Sequence, residues 1–299
     1  MACAEFVRAA GPNLWFDGRR LFLNGINLAW ISYGEDINSS AARGSGLSTY
    51  CGWEEAIQFV AANGGNSVRV WLFEDPNKAI AFEGDRIVGL RHGVVEMART
   101  LLEVAASYDI FVVLTLFNGA DAKSRDCKLF GNQETLEALN NVIIRPLASA
   151  LREYNSLAMW EVVNEPEAIL DMSLIVGTPL EAPTMVCPGH YDRPGWSKGC
   201  QLPLQTLLRF VNHVAATLHT EDPQHLVTLG AWHFCTSSNG PDGSVNLYSN
   251  ERLREAGGMA GGTLDVYQVT DHRSRLSHAS CPPTDPLDDL SPAAPAAPM

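Results

Sequence analysis

Short apolar runs alternate with amphipathic segments along most of the chain, and this rhythm limits the fold more than any other feature. The run LFLNGINLAWI within Arg20–Ile31 reads as a strand, followed by helical spacing over Trp53–Asn63 that stops at Gly64-Gly65. Asn66–Phe73 (NSVRVWLF) is β-branched and alternating, Gly93–Tyr108 is helical, and Ile110–Phe117 (IFVVLTLF) is apolar enough for a strand buried on both faces. Gln133–Tyr154 reads as one long helix kinked at Pro146, and Leu157–Val163 as a strand. A helix over Leu204–His219, a strand over His225–Trp232, a short helix over Asn250–Ala256 and a strand over Thr263–Val269 complete the pattern.

Strands alternating with helices imply βαβ units and a parallel sheet, either open and doubly wound or closed into a barrel. No Gly-rich dinucleotide fingerprint follows the first strand, which runs into Trp30-Ile31-Ser32-Tyr33-Gly34. Polar and aromatic residues gather instead at strand C-terminal ends: Trp30, Arg69, Trp71, Asn118, Asn164, Glu165, Trp232 and Tyr267. Barrel active sites are assembled at that face. The expected fold is therefore an α/β (β/α)8 TIM barrel with about six of its eight units in the patterned chain. Residues 1–12 are expected to be an extension, 13–272 the barrel, and 273–299, rich in Pro, Ala and Ser, a disordered tail. The Pro-, Gly- and Cys-rich stretch Glu167–Pro203 reads as a long loop on the catalytic face.

The formal net charge of -13 disfavours nucleic acid and anionic membranes as partners, whereas a neutral polysaccharide is not repelled. No apolar run approaches a membrane span, and the first residues show no signal peptide. The seven cysteines have no CxxC spacing, which argues against a zinc site. Cys187 and Cys200 flank one loop and are the expected pair if any disulfide forms.

The segment Trp160-Glu161-Val162-Val163-Asn164-Glu165-Pro166-Glu167 carries the chemistry. A carboxylic acid at a strand end can protonate the oxygen leaving a sugar, and a neighbouring amide can hold the sugar 2-hydroxyl. Pro166 is expected to hold Glu165 extended, because a residue before proline avoids the helical region.

In these stretches the chain resembles glycoside hydrolase family 5, and within it the endo-β-1,4-mannanases. The matching segments are LFLNGINLAWISYG (21–34), GGNSVRVWLF (64–73), FNGA (117–120), WEVVNEPE (160–167), GWSKGCQLPLQTLLRFVNHVAATLH (195–219), DPQHLVTLGAW (222–232) and AGGTLDVYQ (260–268). The resemblance implies retaining hydrolysis of β-1,4-mannosidic bonds by two glutamates, with no metal or organic cofactor, in an extracellular protein. It implies Glu165 as acid/base, Asn164 as its partner on the sugar, and Arg69 as the arginine that keeps the nucleophile ionised. Trp30, Trp71, Trp232 and Tyr267 would line the glycan cleft.

Two departures stand out. After Tyr267-Gln268 the sequence runs Val269-Thr270-Asp271-His272 and then the tail, and no strand ending in Gly-Glu follows. Glu255 is the last glutamate and falls on a helix, so no nucleophile is found. On this reading the barrel keeps two unpaired edges. Two other readings stay open: a related β-1,4-glycanase of cellulase type, and a glycan-binding protein without turnover.

Overall fold

The computed structural model describes residues 5–33, 36, 46–171, 195–239 and 245–269. Its centre is a sheet of six strands: β1 (Gly25–Asn27), β2 (Ser67–Phe73), β3 (Phe111–Asn118), β4 (Leu157–Asn164), β5 (Leu226–Ala231) and β6 (Val266–Val269). They lie side by side in chain order, and every pairing is parallel. That order settles the choice between the two parallel architectures. Right-handed crossovers that always advance in one direction put every helix on the same face, whereas a doubly wound sheet needs a reversal. The chain is thus a curled (β/α) barrel sheet, open between β1 and β6 among the described residues.

Alternation along the strands divides two environments. Val68, Val70, Leu72, Leu114, Leu116, Trp160 and Val162 face the helices and bury into one cluster with Leu101, Ile143, Leu207 and Phe210. The intervening positions on the lumen side carry Arg69, Trp71, Thr115 and Glu161. The N-terminal end of the sheet is floored by a small antiparallel sheet, Arg8–Ala10, Asn13–Phe16 and Arg19–Leu21. Phe16 meets Phe111 edge-on at 4.9 Å, and Phe6 meets His225 at 5.0 Å. Also on that side, Trp160 donates its indole N–H to Asp222, and the same carboxylate binds His225. No helix among the described residues is long and apolar enough to cross a membrane.

Four expectations about the backbone and the disulfide are corrected. The run over Arg20–Ile31 is two strands, not one. The Asn66 side chain accepts the N–H of Asn24 and donates to the carbonyl of Phe22, which turns the chain between Leu21 and Gly25. Gly25 then fits against β2 only because it has no side chain, since a Cβ there would fall 1.6 Å from the Ser67 carbonyl oxygen. The helix over Gln133–Tyr154 is interrupted by a π-helical turn, Asn140–Ile144, set between Gln133–Leu139 and Arg145–Leu151. Pro146 has no N–H to give the preceding turn, and Arg145 reaches back five residues to the Asn140 carbonyl. Cys200 pairs with Cys127 across 73 residues, with Cα atoms 5.0 Å apart. Cys187, its expected partner, lies outside the described residues, as do most of the long loop (172–194), His272 and the 273–299 tail. The fourth correction, the backbone of Glu165, belongs to the site.

Candidate active site

β4 delivers three polar side chains to the lumen side, and each is held by a neighbour. Glu161 is fully buried, and its carboxylate receives a two-pronged contact from Arg69: Nε to Oε2 at 2.7 Å and Nη2 to Oε1 at 2.5 Å. Gln268 on β6 adds a short hydrogen bond to the same group. This cluster ties β2, β4 and β6 together across the sheet, and a fork-shaped guanidinium matches a carboxylate in geometry as well as charge. Gly230 on β5 makes room for it, because a Cβ there would stand 2.2 Å from the Glu161 Oε1.

Asn164 is oriented by the same arginine. Arg69 Nη2 donates to Asn164 Oδ1 at 2.7 Å, and Asn164 Nδ2 donates to Asn118 Oδ1 at 2.9 Å. One face of the amide is therefore fixed as an acceptor for a cation and the other as a donor. Arg69 also reaches Asn27 Oδ1 at 3.0 Å, so β1 joins the network.

Glu165 follows at the mouth of the sheet, 9% exposed. The extended backbone expected before Pro166 is not what forms. Glu165 adopts φ 47°, ψ 58°, in the left-handed region, and a short 3-10 turn, Pro166–Ile169, begins at once. The surrounding backbone accommodates this turn. The Glu165 N–H is held by the Gly230 carbonyl at 2.7 Å and its own carbonyl by the Ala168 N–H at 3.0 Å. Gly119, just past the end of β3, leaves room for the turn, since a Cβ there would come within 2.5 Å of the Glu165 carbonyl oxygen. A non-glycine residue held in this region costs on the order of 1–3 kcal/mol, which the surrounding structure must offset.

Two groups of aromatic rings stand near these residues. Trp30, 40% exposed, packs edge-on against Trp71 at 5.3 Å and Tyr33 at 5.1 Å, and the Arg69 guanidinium lies 5.5 Å from the Trp71 ring. Trp232, past the end of β5, stacks at a tilt on Trp196 at 5.1 Å. Tyr267 is not brought to the cluster. Strand alternation sends Gln268 to Glu161, while Tyr267 lies beside Asn246 and Asn250, with its hydroxyl pKa raised by burial.

Glu167 was not singled out from the sequence. It is fully buried, its Oε2 accepts the Trp232 N–H at 2.9 Å, its Oε1 lies 2.5 Å from the Thr236 hydroxyl oxygen, and it sits beside Tyr248. Burial lifts its pKa from 4.5 to about 7, against the lowering effect of those hydrogen bonds. Glu161, Gln268, Trp196 and Tyr33 were missed as well. A sequence signal existed for Glu161 alone: a charge inside an otherwise apolar, buried strand requires an opposite charge beside it.

A sequentially ordered parallel sheet with an Asn-Glu pair at one strand end is the framework of the barrel glycoside hydrolases. No protein-family model matches the chain. A mannan endo-1,4-β-mannosidase of Cryptopygus antarcticus is 31% identical over 272 residues, covering 89% of this chain and 68% of that protein. Its counterpart in Mytilus edulis is 32% identical over 275 residues, covering 89% and 71%. The X-ray structure of the blue mussel β-mannanase superposes with a TM-score of 0.81 at 30% identity, covering 89% of this chain and 74% of that one. The chain belongs to the mannan endo-1,4-β-mannosidases of glycoside hydrolase family 5.

Proposed function

We propose that Glu165 is the acid/base of this mannosidase and that the substrate is a mannan cut at internal β-1,4 bonds. The observation that carries this reading is the joint placement of Asn164 and Glu165 at the end of β4, with Asn164 held by Arg69. In this role Glu165 gives its proton to the departing glycosidic oxygen, and Asn164 hydrogen-bonds a ring hydroxyl. The apolar faces of Trp30, Trp71 and Trp232 seat the sugar rings. Two relatives named for action on mannan support the choice of sugar. The Cys127–Cys200 disulfide supports an extracellular site of action, because such bonds persist in oxidising compartments.

Retention requires a second carboxylate about 5–5.5 Å from the first. Glu161 is engaged by Arg69 and Gln268, and Glu167 by Trp232 and Thr236. The nucleophile's role is assigned to neither of them. Reducing-sugar release from mannan and from carboxymethylcellulose, with wild type and Glu165→Gln, tests the reading. Wild type should act on mannan in preference to the cellulose derivative, and the variant should lose on the order of 10²–10⁴-fold in rate. A Glu165→Gln chain with full activity overturns the assignment.

A further inference from the structure

The ladder between β4 and β5 breaks at the point where Glu165 turns. Its last backbone rung carries the Glu165 N–H to the Gly230 carbonyl at 2.7 Å. In a regular parallel pair the next rung takes the Trp232 N–H to the Glu165 carbonyl. The left-handed turn has removed that carbonyl to the Ala168 N–H. The Trp232 N–H goes instead to Oε2 of Glu167 at 2.9 Å. The main chain of Glu167 does a second job, because its carbonyl accepts the Gly195 N–H at 2.8 Å, one residue before Trp196. Both rings of the Trp196–Trp232 stack are thus tethered through one residue, two positions after the proposed acid.

We propose that Glu167 is a positioning residue whose carboxyl group replaces the missing rung and fixes the Trp196–Trp232 platform in register with Glu165. The hydrogen-bond inventory agrees with this role. Thr236 has one hydroxyl proton and two acceptors in reach, Glu167 Oε1 and the His233 carbonyl at 2.7 Å. A protonated Glu167 resolves the conflict: it donates to Thr236, Thr236 donates to His233, and Oε2 still accepts from Trp232. Burial of Glu167 favours that form. The role rests on the reading of Glu165 given above.

The test uses the full chain with Glu167→Gln, Glu167→Leu and Thr236→Val, titrated with mannopentaose by calorimetry and by tryptophan fluorescence. Glutamine can still accept from Trp232 and donate to Thr236, so its affinity should stay within about threefold of wild type. Leucine removes the acceptor and strands a buried N–H, so affinity should fall by about tenfold or more, with loss of the ligand-induced fluorescence change. A purely structural role would lower the melting temperature and leave the affinity of the folded protein unchanged. Folded Glu167→Leu with wild-type affinity and fluorescence response overturns the proposal. Should that variant not fold, Thr236→Val decides: weakened affinity supports the role and unchanged affinity refutes it. Glu165→Gln separates the two ideas, because it should bind mannopentaose with the normal fluorescence response while failing to cleave it. A wild-type chain that neither binds nor cleaves overturns the proposed function and this role together.

Discussion

Replacing Arg69 by methionine leaves the apolar stem and removes the guanidinium. Glu161, fully buried, loses both prongs at 2.7 and 2.5 Å and keeps, among the described residues, Gln268. Breaking a buried pair from one side typically costs about 3–5 kcal/mol, because the remaining charge stays in the interior without compensation. At about 2–4 °C per kcal/mol for a domain of this size, the melting temperature should fall by roughly 6–20 °C. Removing both charges, Arg69→Met with Glu161→Met, eliminates the stranded carboxylate. The double variant should therefore be less damaged than the sum of the singles by about 2–3 kcal/mol. Urea unfolding of the four proteins at one pH gives the cycle, and calorimetry with mannopentaose adds a second readout. Asn164 loses its fixed orientation once the Arg69 Nη2 contact is gone, so affinity should fall in the single and double variants alike. Additive singles, within about 0.5 kcal/mol, would refute the idea that these charges act as one unit.

Stability should decline as pH rises from 5 to 8. Glu167 has a folded pKa of about 7 against 4.5, so its protonated form stabilises the fold fully below pH 4.5. That contribution, on the order of 3 kcal/mol, is lost as pH rises through 7, and Glu167→Gln should flatten the slope measured by urea unfolding. His219 acts in the same direction. Burial lowers its pKa, but hydrogen bonds to Asp265 and Gly261 outweigh this and raise it above 6.5, so its contribution is also lost on going to higher pH. Opening the Cys127–Cys200 bond with Cys127→Ser and Cys200→Ser frees a 73-residue loop and should cost about 4 kcal/mol by chain entropy, read as a lower urea midpoint. An unchanged midpoint would show that the loop stays closed without the bond.

The six barrel strands were legible because they are apolar, β-branched and spaced by helices, and tertiary packing reinforces what such runs already prefer. What escaped the sequence depends on contacts between distant segments. The pre-proline preference at Glu165 gives way where its carbonyl turns to the Ala168 N–H, into space left by Gly119, which is distant in the chain. The partner of Cys200 lies 73 residues away, so loop proximity gave the wrong cysteine. The hairpin of Ile80–Glu83 and Arg86–Leu90 did leave a local mark, a Gly84-Asp85 turn, that was not read. At the site, Asn164, Glu165 and Arg69 were visible as types at strand ends. The links among them, and Glu167 as the tether of two tryptophans, required three dimensions.

The strict order of the sheet has a consequence for birth on the ribosome. Synthesis proceeds from the N-terminus at about 5–20 residues per second, slowly relative to helix formation and local docking. Because each strand lies beside the one made just before it, every emerging unit finds its template already laid down. Assembly can then advance like masonry, one course upon the last, with the acid-bearing fourth course set before the fifth arrives to lock its turn.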